Sequence, residues 1–496
     1  MKIRLAMKKI NKIQVIILAA LLLIVGSCTK DFNEMNVNPN AATDVPATNV
    51  FGQAVLNATY ILLGERLDIY YAGTWAGQTV HIGIGDYEYR VDINNSQWRS
   101  FYIAMTYCVD AMRLAEEEGN DNLYAAALTM KAYMAHKATD CWGKIPYSEA
   151  FQLEEGLLYP KYDSERELYD AVMLELKTAA AMFDPNGEDI GVGDFLLNGD
   201  VGLWIKFANS TRLRMATRMT AGDEAAGKAV IAEILGSPAG YPLIESNDEN
   251  AYLWWAGITP DQELWFERVG APDGNKTDSY RTNNTMISAL KANNDPRLSV
   301  YADPNRWGAY NGYKMGPDQS IDTMNSGNNV SHIGDRFGNN PEGFSPYFNS
   351  AEVDFLRAEA YERNFTTGDA QAAYESGITK SLEENGIDAA AIATFLAEPE
   401  VVWGGGTTSN LEKIYLQKWL CLFKQSVEAW AEARRTDVPL MLDVEKNYAT
   451  THNRPPFRMS YADEEKSLNT NFPLDVVETD IFYGTQMWWD KRTGIQ

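Results

Sequence analysis

Along most of this chain apolar residues recur at three- and four-residue spacing, the pattern of helices that bury one face. The stretch Ser350–Gly386 shows it best. Ala351, Phe355, Ala358 and Glu362 share a face of one helix, and Ala370, Ala373, Tyr374, Gly377 and Ile378 a face of a second, with a turn at Thr366-Thr367-Gly368-Asp369. Ala358, Tyr361, Ala370, Tyr374 and Gly377 are separated by 3, 9, 4 and 3 positions. Those intervals match the small–aromatic core of a tetratricopeptide unit, where small residues let two helices approach and rings fill the groove. Asp354 and Arg357 stand where such a unit prefers large apolar side chains. One unit cannot bury its apolar face alone, so the stretch predicts further hairpins.

The same spacing predicts helices over Val50–Tyr71, Gln97–Glu118 and Asn122–Thr139, the last two turning at Glu118-Gly119-Asn120-Asp121. Asp163–Phe183 and Gly199–Thr220 form another hairpin, jointed at Asp184–Gly193, and Asp223–Leu235 adds a shorter helix. After Asp388–Leu396 and the Gly-rich Trp403–Thr408, Leu411–Phe423 and Ser426–Arg435 make a further pair. Two stretches break the pattern. Gly73–Asn95 reads as a long loop, and Gly236–Asn349 is punctuated by Gly, Pro, Asn and Asp around one helical stretch, Asn284–Asn293. The expected fold class is mainly α, with tetratricopeptide-like helical hairpins forming a scaffold and a loop-rich irregular lobe at about 236–349. No convincing linker follows residue 49, so residues 50–496 are expected to form a single domain.

The N-terminus reads as a targeting segment. Basic residues Lys2, Arg4, Lys8, Lys9 and Lys12 precede Ile13–Val25, an apolar run too short for a comfortable membrane span. It ends in Val25-Gly26-Ser27-Cys28, which resembles a bacterial lipobox. The expectation is a lipoprotein signal peptide at 1–27, lipidation of Cys28, and a flexible tether through residue 49; a plain secretory signal cut nearby is the other reading. Acyl chains anchor by burial, at about 0.8 kcal/mol per methylene. Removing the segment takes the net charge from −25 to about −30. So acidic a chain excludes nucleic acid as a partner and leaves contact with a membrane to the lipid anchor only.

Several motifs, spread in order over nearly the whole chain, carry a resemblance. They are Asp140–Ala150 with Gly143-Lys144-Ile145-Pro146-Tyr147, Trp204–Arg218, Asp295-Pro296-Arg297-Leu298, Ser350–Ala360, Gln417-Lys418-Trp419 with Glu428-Ala429-Trp430, Arg434–Pro439, and Pro456–Asn469. Together they resemble the SusD/RagB family of Bacteroidota outer-membrane lipoproteins, with Thr211 a departure where Leu is expected. Thr29–Glu34 resembles the Lys-then-acidic signal that sends such lipoproteins to the cell surface. The resemblance implies a cell-surface, lipid-anchored outer-membrane protein that acts as the lid of a SusC-like TonB-dependent transporter and delivers a captured nutrient, usually a glycan. A peptide ligand is the variant reading, since helical repeats also present peptide grooves.

Most of these motifs read as structural. Gly143 relaxes a turn and Pro146 fixes φ. Arg212, Arg214 and Arg218 fall at helical intervals and are expected to meet acidic partners on adjacent hairpins, while Arg434-Arg435 closes a helix, where cations favour the dipole. Binding a sugar calls for flat rings against its C–H faces and Asn, Asp, Gln or Arg at its hydroxyl edges. The ligand-binding candidates are therefore loop aromatics: Trp254, Trp255 and Trp265 first, then Trp307, Tyr310 and Tyr313, then Trp75 with Tyr87. For each single Trp, a place in the core of the lobe is the competing expectation.

Catalytic and metal signatures are weak: Asp261-Gln262-Glu263, Asp273-Gly274-Asn275 and Asp318–Asp322 could offer oxygen ligands to calcium, but none matches an EF-hand loop. His81, His136, His332 and His452 have no zinc-type spacing, and no nucleophile elbow, phosphate loop or dinucleotide fingerprint occurs. No metal, cofactor or catalytic residue is expected. The 68 acidic residues leave a glycosidase carboxylate pair open on composition, so a secreted glycan hydrolase is the rival that the resemblance disfavours. Cys108, Cys141 and Cys421 cannot all pair and are expected to be buried free thiols, although neighbouring helices could bring Cys108 near Cys141.

Overall fold

The predicted helix over 50–71 is cut in two at Gly64. Helix α1 (Ala47–Leu62) stops there, and a π-helix, Glu65–Ala72, resumes after it. Gly64 is extended, and a Cβ at this position would lie 2.2 Å from the Tyr60 carbonyl oxygen. This computed structural model describes residues 45–81, 91–270, 279–314, 327–441, 454–474 and 484–495. The chain divides into Met1–Pro46, of which only residues 45 and 46 are described, and Ala47–Gln496. Cys28, the signal segment and Tyr87 lie outside the described residues.

Helices α2 (Val91–Glu118), α3 (Asp121–Trp142), α4 (Glu165–Met182), α5 (Val201–Gly222) and α6 (Glu224–Leu235) follow, each packed on the one before. Short polar side chains start them. The side chain of Asn120 accepts from Leu123 N–H, Ser164 and Glu167 form a capping box, and Asp200 and Asp223 cap the next two. After the lobe, which includes α7 (Asn284–Ala292), come α8 (Ser350–Glu362), α9 (Ala370–Glu384), α10 (Ala389–Leu396), α11 (Asn410–Cys421) and α12 (Ser426–Thr436). Helix α8 packs on α9, α11 and α5, and α12 on α3, α5, α11 and the π-helix, so the hairpins from both ends of the chain share one core.

The hairpin of α8 and α9 follows the expected logic. Ala358 and Tyr374 are buried, and a Cβ on Gly377 would come within 2.8 Å of the Phe355 ring. The two polar departures are neutralised locally. Asp354 accepts from Ser376 Oγ at 2.6 Å and pairs with Lys380 Nζ at 2.6 Å and Arg357 Nη1 at 3.1 Å.

Among the described residues, strands of the lobe enter two small antiparallel sheets. Strand β1 (Thr79–His81) pairs with β3 (Tyr280–Thr282), and β2 (Ala251–Trp254) pairs with β4 (Phe344–Phe348), which sets Trp254 opposite Phe344. The loop expected at 73–95 holds regular structure in its described residues: Gly73–Trp75 makes a helical turn, β1 follows, and α2 begins at Val91.

A buried lattice of charge ties the scaffold together. Arg214 binds both oxygens of Glu352, with Nε–Oε1 2.8 Å and Nη2–Oε2 2.5 Å. Arg218 donates to Asp140 at 2.5 Å and to Glu428, and Lys137 Nζ reaches Glu428 at 2.5 Å. Arg212 pairs with Glu233, so all three arginines of the α5 motif meet acids on other elements, as their spacing predicts. Arg435 acts through charge pairs with Glu359 (2.6 Å) and Glu432 (2.6 Å), and Arg434 lies between the Trp430 and Trp489 rings at 3.5 and 4.8 Å. Both arginines stand in the last turn of α12, as expected.

Candidate ligand-binding site

The seven aromatic candidates among the described residues separate by exposure. Trp307 and Trp254 are 66% and 62% exposed, whereas Trp75, Trp255 and Trp265 are core residues. Trp255 donates its indole N–H to Ser345 Oγ at 2.9 Å, Trp265 donates to Asp68 at 3.0 Å, and Trp75 packs between Tyr71 and Trp430. Enclosed by protein, these three rings have no open face left for a ligand. Tyr310 and Tyr313 are half-buried, and Tyr313 bridges in parallel to Asn283.

Around Trp307 the loop builds a small polar frame. The buried Asn305 side chain accepts from the backbone N–H groups of Trp307 and Ala309, both at 3.0 Å, which folds the chain back on itself. Its amide nitrogen and that of Asn311 both donate to the Asn329 carbonyl, at 2.8 and 3.1 Å. The Trp307 indole N–H donates to Asn329 Oδ1 at 3.1 Å, and the Arg306 guanidinium lies 4.1 Å from a ring centroid. The indole is thus oriented before any ligand arrives. Sequence reasoning found the ring but missed Asn305, Arg306, Asn311 and Asn329; the density of Asn in this segment was the available signal.

Trp254 stands at the end of β2 on a stacked aromatic base. Its ring lies 5.2 Å from Phe344, which stacks on Tyr252 at 4.7 Å. Tyr252 donates its hydroxyl to Glu384 at 2.7 Å, and the Arg336 guanidinium lies 5.0 Å from the Phe344 centroid. Burial pushes the Glu384 carboxyl above its ordinary value, against the Tyr252 hydrogen bond and the Arg336 charge. No direct contact joins Trp254 to Trp307; a chain of rings, Phe344–Phe337–Tyr301, runs from the Trp254 base to the strand bridge beside the Trp307 loop.

A sequence profile described as "Starch-binding associating with outer membrane" matches residues 39–462. The chain belongs to the SusD-like family. Solved structures share the fold: a chitin-binding protein (24% identity, 90% of this chain and 99% of that chain, TM-score 0.76) and a chitin-binding SusD homologue from Flavobacterium johnsoniae (24%, 89% and 99%, TM-score 0.75). A SusD homologue from Parabacteroides distasonis is 22% identical over 90% of this chain and 97% of its own, with TM-score 0.76. A search of curated protein sequences finds no match. This SusD-like family is associated with the outer membrane, and no helix among the described residues is long and apolar enough to cross a membrane.

Among the described residues of this SusD-like chain, one group could bring three metal ligands together: His136, Asp140 and Glu428, within 4.8 Å of one another. A cation already sits there. Arg218 Nη1 lies 2.8 Å from His136 Nε2 and 2.5 Å from Asp140, and Nη2 reaches Glu428. Burial pushes His136 down to about 4, outweighing the pull of Asp140, so its imidazole is neutral at pH 7. The group is a hydrogen-bonded core.

Proposed function

We propose that this SusD-like protein is a surface-exposed, lipid-anchored outer-membrane protein that captures a glycan and delivers it to a SusC-like TonB-dependent transporter, with no chemistry of its own. The observation that carries the glycan reading is the exposed Trp307 indole, held by Asn329 and backed by Arg306 in an Asn-rich loop. A pyranose can lay its C–H face on such a ring while Arg and Asn side chains bond its hydroxyl edge. Trp254 offers a second flat surface on the same lobe. The chitin-binding descriptions of two solved relatives support carbohydrate as the ligand class. Acylation at Cys28 and a tether to α1 would let the body swing as a lid while staying attached.

The test is a glycan array followed by titrations read through Trp fluorescence. Trp307→Ala is expected to weaken binding about tenfold or more, the scale of a truncated hot spot, and Trp254→Ala by a smaller factor. If both variants bind as the parent does, the site assignment fails. Steady release of reducing ends by the purified protein would overturn the reading as a non-enzyme. Affinity purification from outer membranes should bring down a large β-barrel protein, and its absence would remove the delivery half of the proposal.

A further inference from the structure

A cavity of about 220 Å³ opens on the scaffold, lined by none of the aromatic candidates, where the end of α6 and the segment after it meet α8. Buried Ile234 and Leu243 form an apolar floor. Half-buried Tyr241 and Tyr361 and the side chains of Glu245 and Arg357 complete the walls, with exposed Pro238 at the edge. The Tyr361 ring rests against Gly368, where a Cβ would come within 2.3 Å of it. No hydrogen bond from within the protein occupies the Tyr361 hydroxyl among the described residues, whereas Tyr241 donates its own to Glu233 at 2.6 Å.

The two charged side chains that line this cavity cancel as a pair. Arg357 makes a two-pronged contact with Glu245, Nη2–Oε1 2.5 Å and Nη1–Oε2 2.9 Å, and its Nη1 also reaches Asp354 at 3.1 Å. Asp354 is balanced further by Lys380 at 2.6 Å, and Lys206 is engaged by Glu249 at 2.5 Å. Behind Tyr241, Lys177 and Arg212 both pair with Glu233. Lys177 and Arg212 share that one carboxylate, which leaves a single positive charge behind the Tyr241 ring and outside the lining, while on the lining itself Glu245 and Arg357 neutralise each other. What the walls offer is hydrogen bonding without net charge: a guanidinium with donors to spare, a carboxylate with free lone pairs and a phenol. The apolar floor and two rings supply a surface for C–H groups. The volume falls below the ~300–1,000 Å³ of sites that enclose larger ligands, which restricts the occupant to about one ring.

We propose that this cavity is a second sugar subsite that takes a single neutral pyranose ring, either a free monosaccharide or the end unit of a glycan chain. It shares no residue with the Trp307 and Trp254 surfaces and does not depend on their role. Saturation-transfer NMR on the whole folded protein tests it, using a parent that already carries Trp254→Ala and Trp307→Ala. The probes are glucose, galactose and N-acetylglucosamine, their trisaccharides, and the charged analogues glucuronate and glucosamine.

At least one neutral sugar should receive saturation in that parent, with binding weakened about tenfold by adding Pro238→Trp, which obstructs the mouth from an exposed position, or Tyr361→Ala. Equal binding of monosaccharide and trisaccharide identifies a free sugar as the ligand; binding of the trisaccharide alone identifies a chain end. The proposal is overturned if no neutral sugar binds the double-Trp parent, if only charged analogues bind, or if both cavity variants bind like the parent while circular dichroism shows them folded. Loss of all binding on removing the two tryptophans would leave the lobe reading intact and sink the cavity. Persistence of all binding until the cavity is blocked would do the reverse.

Discussion

Replacing Glu428 by Gln removes one negative charge from the centre of the scaffold while keeping the side chain's shape. The carboxylate is 1% exposed and faces three cations: Lys137 Nζ at 2.5 Å, Arg218, and Arg214 Nε at 3.6 Å. Glu352 and Asp140 balance Arg214 and Arg218 from the other side, so three buried cations meet three carboxylates. Each close pair is worth about 4 kcal/mol at an effective dielectric near 20, and the desolvation of both partners opposes that gain. Breaking one side of such a group strands a buried cation, at a loss of about 3–5 kcal/mol. Against a total stability of about 5–15 kcal/mol this is a large fraction. Burial alone would raise the Glu428 carboxyl, but Arg218, Lys137 and Arg214 together hold it far below the carboxylate range. An acid with a depressed folded-state pKa contributes stability that is complete above its unfolded value and is lost as pH falls toward the folded one. The gap between Glu428→Gln and the parent, measured by urea unfolding, should therefore be full at pH 7 and shrink below about pH 4. A loss under about 1 kcal/mol at pH 7, or a gap of unchanged size at pH 3, would refute the reasoning.

Three further outcomes are expected. Gly222→Ala puts a Cβ 2.1 Å from the half-buried Trp488 ring, so the indole must shift, which should destabilise by about 1–3 kcal/mol and lower the melting temperature. Burial pushes the Cys108 and Cys141 thiols up to about 12 and raises Cys421 as well, so none of the three should react with a thiol reagent at pH 8 until urea unfolds the chain. Burial raises the Asp68 carboxyl to about 7, despite hydrogen bonds from Ser426 and Trp265 and the charge of Lys424. The folded chain then holds a proton that the unfolded chain gives up between about pH 4 and 7, so this group's contribution falls as pH rises through that window. Asp68→Asn should be more stable relative to the parent at pH 8 than at pH 5, and equal differences at both would refute it.

The scaffold was legible because its signals are local. Apolar spacing and the turn at Glu118-Gly119-Asn120-Asp121 place helix ends such as Glu118 and Asp121 within a residue or so of the structure. Gly64 shows where locality fails: the apolar pattern runs on while the backbone turns out of the helix. The lobe was opaque for the opposite reason. Strand β2 finds its partner β4 some ninety residues later, and four-residue strands carry too little periodicity to announce a pairing. The proposed site was half legible. Trp254 and Trp255 are neighbours of identical chemistry, and the one-residue step of a strand sends one to solvent and the other toward Ser345. No composition or count could separate them. The spacing of Arg212, Arg214 and Arg218 foretold acidic partners, but which carboxylate each meets depends on how distant hairpins stack.

That division assigns stability and recognition to different kinds of residue. In the scaffold, Glu428 and Arg218 are constrained from several elements at once, so a change there propagates into folding. In the lobe, the Trp307 ring is held by one loop's own asparagines and stays mostly in water. Losing it removes little buried surface, and a surface truncation of this kind costs about 0.5 kcal/mol or less of stability. Loops so arranged can change their ligand without disturbing the body that carries them. The two perturbations should then dissociate: Trp307→Ala weakens glycan binding at unchanged urea midpoint, and Glu428→Gln lowers the midpoint while the folded fraction keeps its affinity. A Trp307→Ala protein that melts early would mean the loop is part of the core, and its role as a presented binding surface would fall with that result.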